Sequence, residues 1–194
     1  LETVNLDHSN LVVKYFRDAI NFHHPTQRIL NRLREDCSFH LFVPMAEAYF
    51  FGEEPLALKR AGATLNSTVS GQSMDVEDFL VTNDTNYLTA PKGTSLWASN
   101  PNDRERHPKR YLDYLCSPRL NKNKARYRET RGGVAALEFL DWHSVFSGNP
   151  NQVQAKYLRS LFDDISCRFG LPNPYPGECA LVTDCKQGSV LRNI

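Results

Sequence analysis

Apolar side chains recur every three or four residues in several stretches of this chain, which is the spacing of one face of an α-helix. The pattern covers residues 11–20, 25–36, 46–62, 107–115, 134–146 and 152–169. Pro25 is suited to the start of the second stretch, and Gly170 follows the last one in the position where glycine commonly ends a helix. The sequence therefore predicts a helix-rich chain.

Two stretches have the pattern of β-strands instead. Val4 and Leu6 precede the polar Asp7, which predicts a short strand that ends at this aspartate. Residues 38–43 alternate apolar side chains with others, and Pro44 would end that strand because proline cannot donate to a sheet. Together with the helices, these strands predict an α/β fold.

Composition limits the class of protein. With 194 residues, 41% hydrophobic and 23% charged, the chain has the composition of a globular domain rather than of a disordered chain or a rod. No stretch approaches the ~20 apolar residues of a membrane helix, so no membrane partner is expected. We expect an α/β portion, a loop-rich connection, a basic helical portion and an extended tail, at residues 1–62, 63–103, 104–170 and 171–194.

The cysteines indicate a compartment. Their number is odd, and they form no CxxC pair of the kind found in zinc sites or redox dithiols: Cys37, Cys116, Cys167, Cys179 and Cys185. A chain of this length can fold without disulfides, so reduced thiols and a cytoplasmic location are expected. A disulfide between Cys179 and Cys185 is the alternative, and it would need an oxidising compartment. The first ten residues also lack the basic start and apolar stretch of a secretion signal.

Charge is distributed unevenly along the chain. Residues 41–90 contain two basic and seven acidic residues, whereas residues 104–131 contain ten Lys or Arg and three acidic residues. Tyr111, Tyr114 and Tyr127 are interleaved with these bases. Because cations neutralise phosphates and tyrosines stack on bases, residues 104–131 predict a nucleic-acid surface. The predicted contacts are Arg104, Arg106, Lys109, Arg110, Lys122, Lys124, Arg126, Arg128 and Arg131.

The basic stretch has two other interpretations. It could form a solvated face, or it could dock on the acidic residues 41–90. A net charge of only +1 weakens the nucleic-acid interpretation, because dedicated nucleic-acid binders are often more basic. Motifs of nucleotide hydrolysis and of the common hydrolases are missing from the sequence, which disfavours those activities: GxxxxGKS/T, GxGxxG, HExxH and GxSxG.

Two carboxylates are candidate catalytic residues and metal ligands. Asp7 would lie where a strand gives way to a loop, the position at which α/β sheets place ligand groups, and His8 and Ser9 could assist it. Glu47 follows the second predicted strand among apolar side chains, where a carboxylate is costly unless it is paired or binds a metal. The alternatives are that Asp7 caps the helix beginning near Leu11 and that Glu47 stabilises a helix start through the macrodipole.

Four segments of the chain, in this order, resemble an uncharacterised bacterial Toprim-like family, Toprim being the topoisomerase–primase fold. They lie within residues 1–170 and read HLFVPMAEAYFFGEEPLAL, RHPKRYLDYL, YRETRGGVAALEFLDW and YLRSLFDDI. The resemblance implies a helix-rich α/β fold, with a small Toprim-like sheet flanked by helices and a helical C-terminal half. Such proteins are typically encoded beside an ATPase in mobile-element or phage-defence operons.

The resemblance also implies a chemistry. Toprim proteins hold Mg²⁺ for phosphodiester chemistry with a glutamate and a later pair of aspartates. Asp7 would correspond to the first aspartate, Ser9 stands where the second would be, and Glu47 matches the glutamate of a strand-to-helix segment. The implied function is a nucleic-acid-engaging domain acting as a Mg²⁺-dependent nuclease, with Asp7 and Glu47 as its metal ligands. The alternative is a non-catalytic subunit that docks on a larger ATPase through VPMAEAYFF or the Pro-rich tail.

Overall fold

The computed structural model describes residues 9–64, 75–92, 98, 104–117, 127–147, 155–181 and 189–194. These residues form two compact units. Unit 1 consists of the described residues between Val43 and Gln154, and unit 2 consists of those up to Phe42 together with those from Ala155 onward. The described part of the chain thus begins in unit 2, continues through unit 1 and returns to unit 2.

All regular structure in the described residues is helical. In chain order the α-helices are α1 (Ser9–Phe22), α2 (Gln27–Asp36), α3 (Leu56–Ala61), α4 (Thr85–Leu88), α5 (Pro108–Cys116), α6 (Val134–Glu138), α7 (Trp142–Ser147) and α8 (Lys156–Phe169). Tighter turns form 3₁₀ helices at Ala46–Glu53, Val76–Asp78 and Arg104–Arg106, and a wider turn forms a π-helix at Glu129–Gly133. Helices α1, α2 and α8 belong to unit 2, and the others belong to unit 1.

The predicted α/β fold with a small Toprim-like sheet is wrong for the described residues, which contain no β-strand. The first predicted strand, at residues 1–7, lies outside them. In the second, the Phe39 N–H donates to Asn193 Oδ1 at 2.8 Å, and Asn193 Nδ2 donates to the Phe39 carbonyl at 2.7 Å. A side-chain amide therefore satisfies the backbone groups that a neighbouring strand would have satisfied.

The 3₁₀ helix Ala46–Glu53 forms the centre of unit 1. Its aromatic side chains are buried, and the Phe51 ring stacks with the ring of Tyr111 in α5, with 5.7 Å between the centroids. Helix α7 approaches the same segment at Gly52, where a Cβ would lie 3.1 Å from Val145 Cα. Aromatic packing and this close approach stabilise a 3₁₀ helix that is longer than most.

Two adjacent glycines let the π-helix approach its neighbours. A Cβ on Gly132 would lie 2.5 Å from the carbonyl oxygen of Ala61, and a Cβ on Gly133 would lie 2.6 Å from Tyr127 Oη. Both distances are well inside van der Waals contact. Packing against α3 and Tyr127 therefore requires glycine at both positions. From the sequence alone, a pair of glycines indicates only an interruption of regular structure.

The helix predicted at residues 134–146 is divided into α6 and α7. At the division, Glu53 Oε2 accepts the Asp141 N–H at 2.9 Å, and Arg60 Nη1 donates to the Phe139 carbonyl at 2.8 Å. Glu53 and Arg60 also form an ion pair with each other. An ion pair from a distant part of the sequence thus interrupts a helix that the local pattern predicts to be continuous.

The last described residues complete the core of unit 2. Val190, Leu191 and Ile194 are buried there, and apolar side chains from other parts of unit 2 pack against them: Val13, Ile20, Leu33, Phe39 and Leu181. The side chain of Arg34 in α2 donates to the Ser189 carbonyl. The predicted extended tail comprises residues 171–194. Its last described residues, 189–194, are part of the packed interior of unit 2.

No helix of the described ranges is long and apolar enough to cross a bilayer. Cys37, Cys116, Cys167 and Cys179 are free thiols. Cys185, which would pair with Cys179 in the alternative disulfide, lies outside the described residues.

Candidate functional site

Glu47, one of the two predicted metal ligands, is buried in unit 1 and hydrogen-bonded. It lies in the first turn of the 3₁₀ helix Ala46–Glu53 and is only 7% exposed. Its Oε1 accepts a hydrogen bond of 2.9 Å from Tyr127 Oη. Burial and the adjacent carboxylate raise the pKa of Tyr127, so the phenol keeps its proton and remains a donor at neutral pH. The pair joins the 3₁₀ helix to the segment that leads into the π-helix.

Two further glutamates of unit 1 are buried with partners. Tyr49 Oη donates to Glu77 Oε1 at 2.9 Å. Arg60 forms a two-point ion pair with Glu53, with N–O distances of 2.9 and 3.1 Å. A buried carboxylate is stable only when it is paired in this way. Part of the acidity of residues 41–90 is therefore internal to unit 1 and is not available as a docking surface for the basic stretch.

The described residues do not fit the Mg²⁺ site that the resemblance implies. Asp7, the other predicted ligand, lies outside them. Mg²⁺ keeps several waters and binds one or two carboxylates beside substrate phosphates, so it needs a carboxylate that faces solvent. Glu47 instead faces Tyr127, and within the described ranges no group of three His, Cys, Asp or Glu side chains could hold a metal ion. No catalytic step is therefore assigned to Glu47.

Arg104, the first of the predicted phosphate contacts, is buried in unit 1. It is 2% exposed, and its terminal nitrogens donate to four backbone carbonyls at distances of 2.8–3.2 Å. The acceptors follow or end α4 and belong to Tyr87, Leu88, Ala90 and Ala98. Carbonyls at the C-terminal end of a helix lack helical partners and favour a cation. Arg104 is therefore a structural residue, contrary to its predicted role, and is not exposed to contact a phosphate.

Three other predicted contacts lie on or near α5. Arg106 forms an exposed ion pair with Asp78 at 3.2 Å, and Lys109 forms an ion pair with Glu129. Arg110 is half-buried. The exposed Arg106–Asp78 pair contributes at most ~1 kcal/mol to stability, so Arg106 can exchange a carboxylate for a phosphate at little cost.

Arg128 and Arg131 are exposed, as Arg106 is, but no ion pair to another described residue engages them. Arg128 directly precedes the π-helix, Arg131 lies within it, and both are exposed. The remaining predicted contacts lie outside the described residues: Lys122, Lys124 and Arg126. Two exposed cations of the described stretch thus lie at and within the π-helix, and Arg106 lies before α5.

The tyrosines of the basic stretch are not available to stack on bases. Tyr111 and Tyr127 are buried, and Tyr114 is half-buried with its ring stacked on Tyr111 at 6.1 Å between centroids. The hydroxyls of Tyr111 and Tyr114 donate to Asp84 at 3.3 and 3.5 Å. The tyrosines of the predicted nucleic-acid pattern therefore pack within unit 1, and exposed cations such as Arg128 and Arg131 remain at the surface.

Unit 2 contains a polar cluster that no local sequence motif indicates. Asp164 of α8 accepts a hydrogen bond of 2.7 Å from Ser38 Oγ, lies 3.4 Å from His40 Nε2 and forms an ion pair with Arg192. His40 Nε2 is also 3.1 Å from Ser38 Oγ. These four residues, the Asp164 cluster, join the extended segment after α2, helix α8 and the last residues of the chain. They are separated by up to 154 positions between Ser38 and Arg192, which is why spacing alone could not reveal them.

The Asp164 cluster has the composition of a hydrolase triad but not its hydrogen bonding. Ser38 donates to Asp164, and His40 Nδ1, which an acid would orient in a triad, is buried without a hydrogen-bond partner in the described part of the chain. Burial raises the pKa of Asp164, but hydrogen bonds from Arg192 and Ser38 outweigh it and lower the pKa. An aspartate held ionised by an arginine is a weak base. The cluster is therefore assigned a structural role.

Comparison with known proteins does not identify a family for this chain. No protein-family model, curated protein or solved structure matches it. The Toprim-like resemblance therefore stays a prediction, and only the chain's own residues bear on its function.

Proposed function

We propose that this chain binds nucleic acid through the surface cations of residues 104–131. The observation that carries the proposal is the exposure of Arg128 and Arg131 within a stretch of ten Lys or Arg and three acidic residues. Neither arginine forms an ion pair with another described residue. Exposed guanidinium groups attract phosphates, and binding gains free energy from the counterions that each contact releases.

The proposed contacts position a nucleic acid without reading its sequence. Phosphate contacts carry no sequence information, and of the tyrosines that would engage bases, Tyr111 and Tyr127 are buried and Tyr114 is half-buried against Tyr111. The proposal extends to binding alone. Glu47 is engaged by Tyr127, and no described residue is assigned to hydrolysis.

Removal of either exposed arginine is expected to reduce the salt dependence of binding. In titrations of labelled oligonucleotides between ~50 and ~200 mM salt, Arg128→Ala and Arg131→Ala should each reduce the slope of log affinity against log salt by about 1. Lys92→Ala, which removes an exposed cation of unit 1 outside the stretch, should leave the slope unchanged. Affinity that does not depend on salt, or a slope unaffected by both arginine substitutions, contradicts the proposal.

A second candidate function is non-catalytic docking on a larger protein, for which the resemblance implies an ATPase. The observation that favours it is an exposed apolar segment at the end of α8, where Phe169, the last residue of the helix, and Leu171 are 71% and 62% exposed. Three exposed prolines follow at positions 172, 174 and 176. The other predicted docking element, VPMAEAYFF, is almost entirely buried in unit 1 and has no free face to offer.

The Pro-rich segment after α8 packs back on that helix. Arg159 Nη1 donates to the carbonyls of Tyr175 and Pro176 at 3.0 and 2.9 Å. The Tyr175 ring packs edge-on against Phe162, with 4.8 Å between the centroids. A segment that is ordered before binding loses less conformational entropy when it docks. This preorganisation supports the tail, rather than VPMAEAYFF, as the docking element.

Serine substitutions at the end of α8 and just beyond it test the docking function separately from nucleic-acid binding. With a purified ATPase encoded beside this chain, Phe169→Ser combined with Leu171→Ser should weaken binding by about tenfold or more, since apolar anchors dominate such interfaces. The salt slope of oligonucleotide binding should not change. Phe139→Ser alters a similarly exposed phenylalanine of unit 1 and is the matched control. Wild-type affinity in the double variant argues against docking through the tail.

A further inference from the structure

The π-helix Glu129–Gly133 is fixed to the rest of unit 1 at both of its ends. At its C-terminal end, two glycines pack closely against α3 and Tyr127. At its N-terminal end, Glu129 forms an ion pair with Lys109 in the first turn of α5. A π-helix is rare and occurs frequently at functional sites. The contacts that hold this one are therefore candidates for a role in binding.

These contacts leave the two arginines of the proposed site on the outside. The Arg131 N–H donates to the Arg128 carbonyl at 3.1 Å, so the two backbones keep a set spacing. The i→i+5 bonds of a π-helix close a turn of about four to five residues, so Arg131 lies about half a turn beyond Glu129. With Glu129 held against α5, Arg131 faces away from α5, in agreement with its exposure.

The backbone of Arg128 turns its side chain away from Glu129 as well. Arg128 precedes the π-helix with φ −134° and ψ 121°, which is an extended conformation. Neighbouring side chains of an extended backbone point to opposite sides. Tyr127 is buried and Glu129 is paired on one side, so Arg128 is directed to the other side, where it is exposed.

Lys109 is itself a predicted phosphate contact, but the structure gives it a different partner. Its side chain is 31% exposed, whereas that of Glu129 is 57% exposed, so the ammonium is the more enclosed member of the pair. A carboxylate and a phosphate offer an ammonium the same kind of charged oxygen acceptor. A phosphate could bind Lys109 only by competing with Glu129.

We propose that Glu129 and Lys109 are positioning residues for the proposed nucleic-acid site. Their ion pair fixes the start of the π-helix on α5 and holds Arg128 and Arg131 towards solvent before nucleic acid binds. Groups that are ordered in advance lose less conformational entropy on binding. The inference rests on the proposed nucleic-acid binding and adds what prepares its two arginines.

Positioning and charge predict opposite effects at Glu129. Removing an acidic residue beside phosphate contacts makes the surface more positive, so charge alone predicts tighter binding by Glu129→Gln. Positioning predicts weaker binding, because the arginines must then be ordered when the nucleic acid binds. The direction of the change therefore decides between the two.

Titrations of a labelled oligonucleotide at ~100 mM salt test the proposal. Glu129→Gln and Lys109→Gln should each weaken binding by about 2- to 12-fold, the factor for ordering one further side chain. The slope of log affinity against log salt should stay that of the wild type, because both arginines still reach phosphates. The double variant should bind no more weakly than either single variant, since the same ion pair is lost. Lys109→Arg keeps the pair and should bind as the wild type does.

Two controls accompany these variants. Asp78→Asn breaks the exposed ion pair with Arg106, away from the π-helix, and should not weaken binding. Urea unfolding followed by tryptophan fluorescence separates positioning from stability. If Glu129→Gln lowers the unfolding midpoint but leaves the affinity unchanged, the ion pair is merely structural and the proposal is overturned.

The outcomes also separate this inference from the proposed function. Suppose that Glu129→Gln binds as tightly as the wild type or more tightly, while Arg128→Ala and Arg131→Ala lower the salt slope. Positioning is then overturned and the arginine contacts stand. A slope lower by about 1 in Lys109→Gln makes Lys109 a phosphate contact and overturns its supporting role. Absence of salt-dependent binding in the wild type overturns the proposed function, and this inference with it.

Discussion

Replacement of Arg104 by methionine is expected to destabilise unit 1 by about 3–5 kcal/mol, because four buried or part-buried carbonyls lose a charged donor at once. Methionine fills much of the space of the arginine stem, so the loss reports hydrogen bonds more than a cavity. The Tyr87 hydroxyl, which donates to the residue 104 carbonyl at 2.9 Å, keeps its acceptor in the variant. The effect is therefore attributable to the guanidinium group.

Tryptophan fluorescence can follow this change in unit 1 selectively. The sequence of unit 2 contains no tryptophan, and Trp142 of unit 1 packs on Tyr49 with 6.3 Å between the ring centroids. Urea unfolding of Arg104→Met should show a lower midpoint with an unchanged slope. Arg106→Met, which breaks only an exposed ion pair, should lose less than about 1 kcal/mol. Equal midpoints for the two variants would show that Arg104 is not structural.

Local signals are sufficient to predict the helices of unit 2. The stretches predicted at residues 11–20, 25–36 and 152–169 correspond to α1, α2 and α8, because periodicity and the stop at Gly170 lie within the segments themselves. The predicted sheet is wrong because the backbone partner of this segment is distant in the sequence. The backbone at Phe39 is satisfied by Asn193, a residue 154 positions away, and no local pattern contains that partner.

The candidate site shows the same limit. The apolar neighbours of Glu47 predict that its carboxylate has a partner, and among the described residues it accepts a hydrogen bond from Tyr127, 80 positions later in the sequence. Arg104 and Arg128 are both arginines of the basic stretch and look equivalent in the sequence. In the structure, Arg104 is buried and hydrogen-bonded to carbonyls at the end of α4, whereas Arg128 is exposed. Residue type and spacing predict which chemistry is available, whereas tertiary packing decides which side chains reach solvent.

Removal of the Asp164 carboxylate is expected to cost unit 2 about 3–5 kcal/mol, the usual loss when one member of a buried ion pair is deleted. In Asp164→Ala the Arg192 guanidinium stays largely buried without its carboxylate, and Ser38 and His40 lose a shared acceptor. The Arg192 N–H, which donates to the Cys37 carbonyl at 3.0 Å, should then exchange with deuterium faster. Hydrogen exchange is the appropriate measurement because it resolves the last residues of the chain individually.

Two comparisons separate charge pairing from packing in this prediction. Asp163→Ala removes the neighbouring aspartate, which accepts one hydrogen bond from Asn173 at 3.1 Å, and should cost about 1 kcal/mol. Asp164→Leu combined with Arg192→Met removes both charges and should recover much of the stability lost by Asp164→Ala, since an apolar pair can replace a buried ion pair at little cost. Equal losses from Asp163→Ala and Asp164→Ala would show that the cluster does not hold the end of the chain.

Acid provides a second readout of the same cluster. Burial lowers the pKa of His40 below its usual 6.5, despite the raising effect of Asp164. As the pH falls, His40 is therefore protonated in the unfolded chain before it is protonated in the folded one. Stability is therefore full above about pH 6.5 and falls as the pH drops towards the folded pKa of His40. The lowered pKa of Asp164 adds a second loss below its usual 3.8. His40→Gln should remove the loss of stability that begins below about pH 6.5 and keep the loss below pH 3.8. The measurement is the free energy of opening of unit 2, obtained from the exchange of the Arg192 N–H as a function of pH. An opening free energy that stays constant as the pH falls from 6.5 towards the folded pKa of His40 would contradict the assignment.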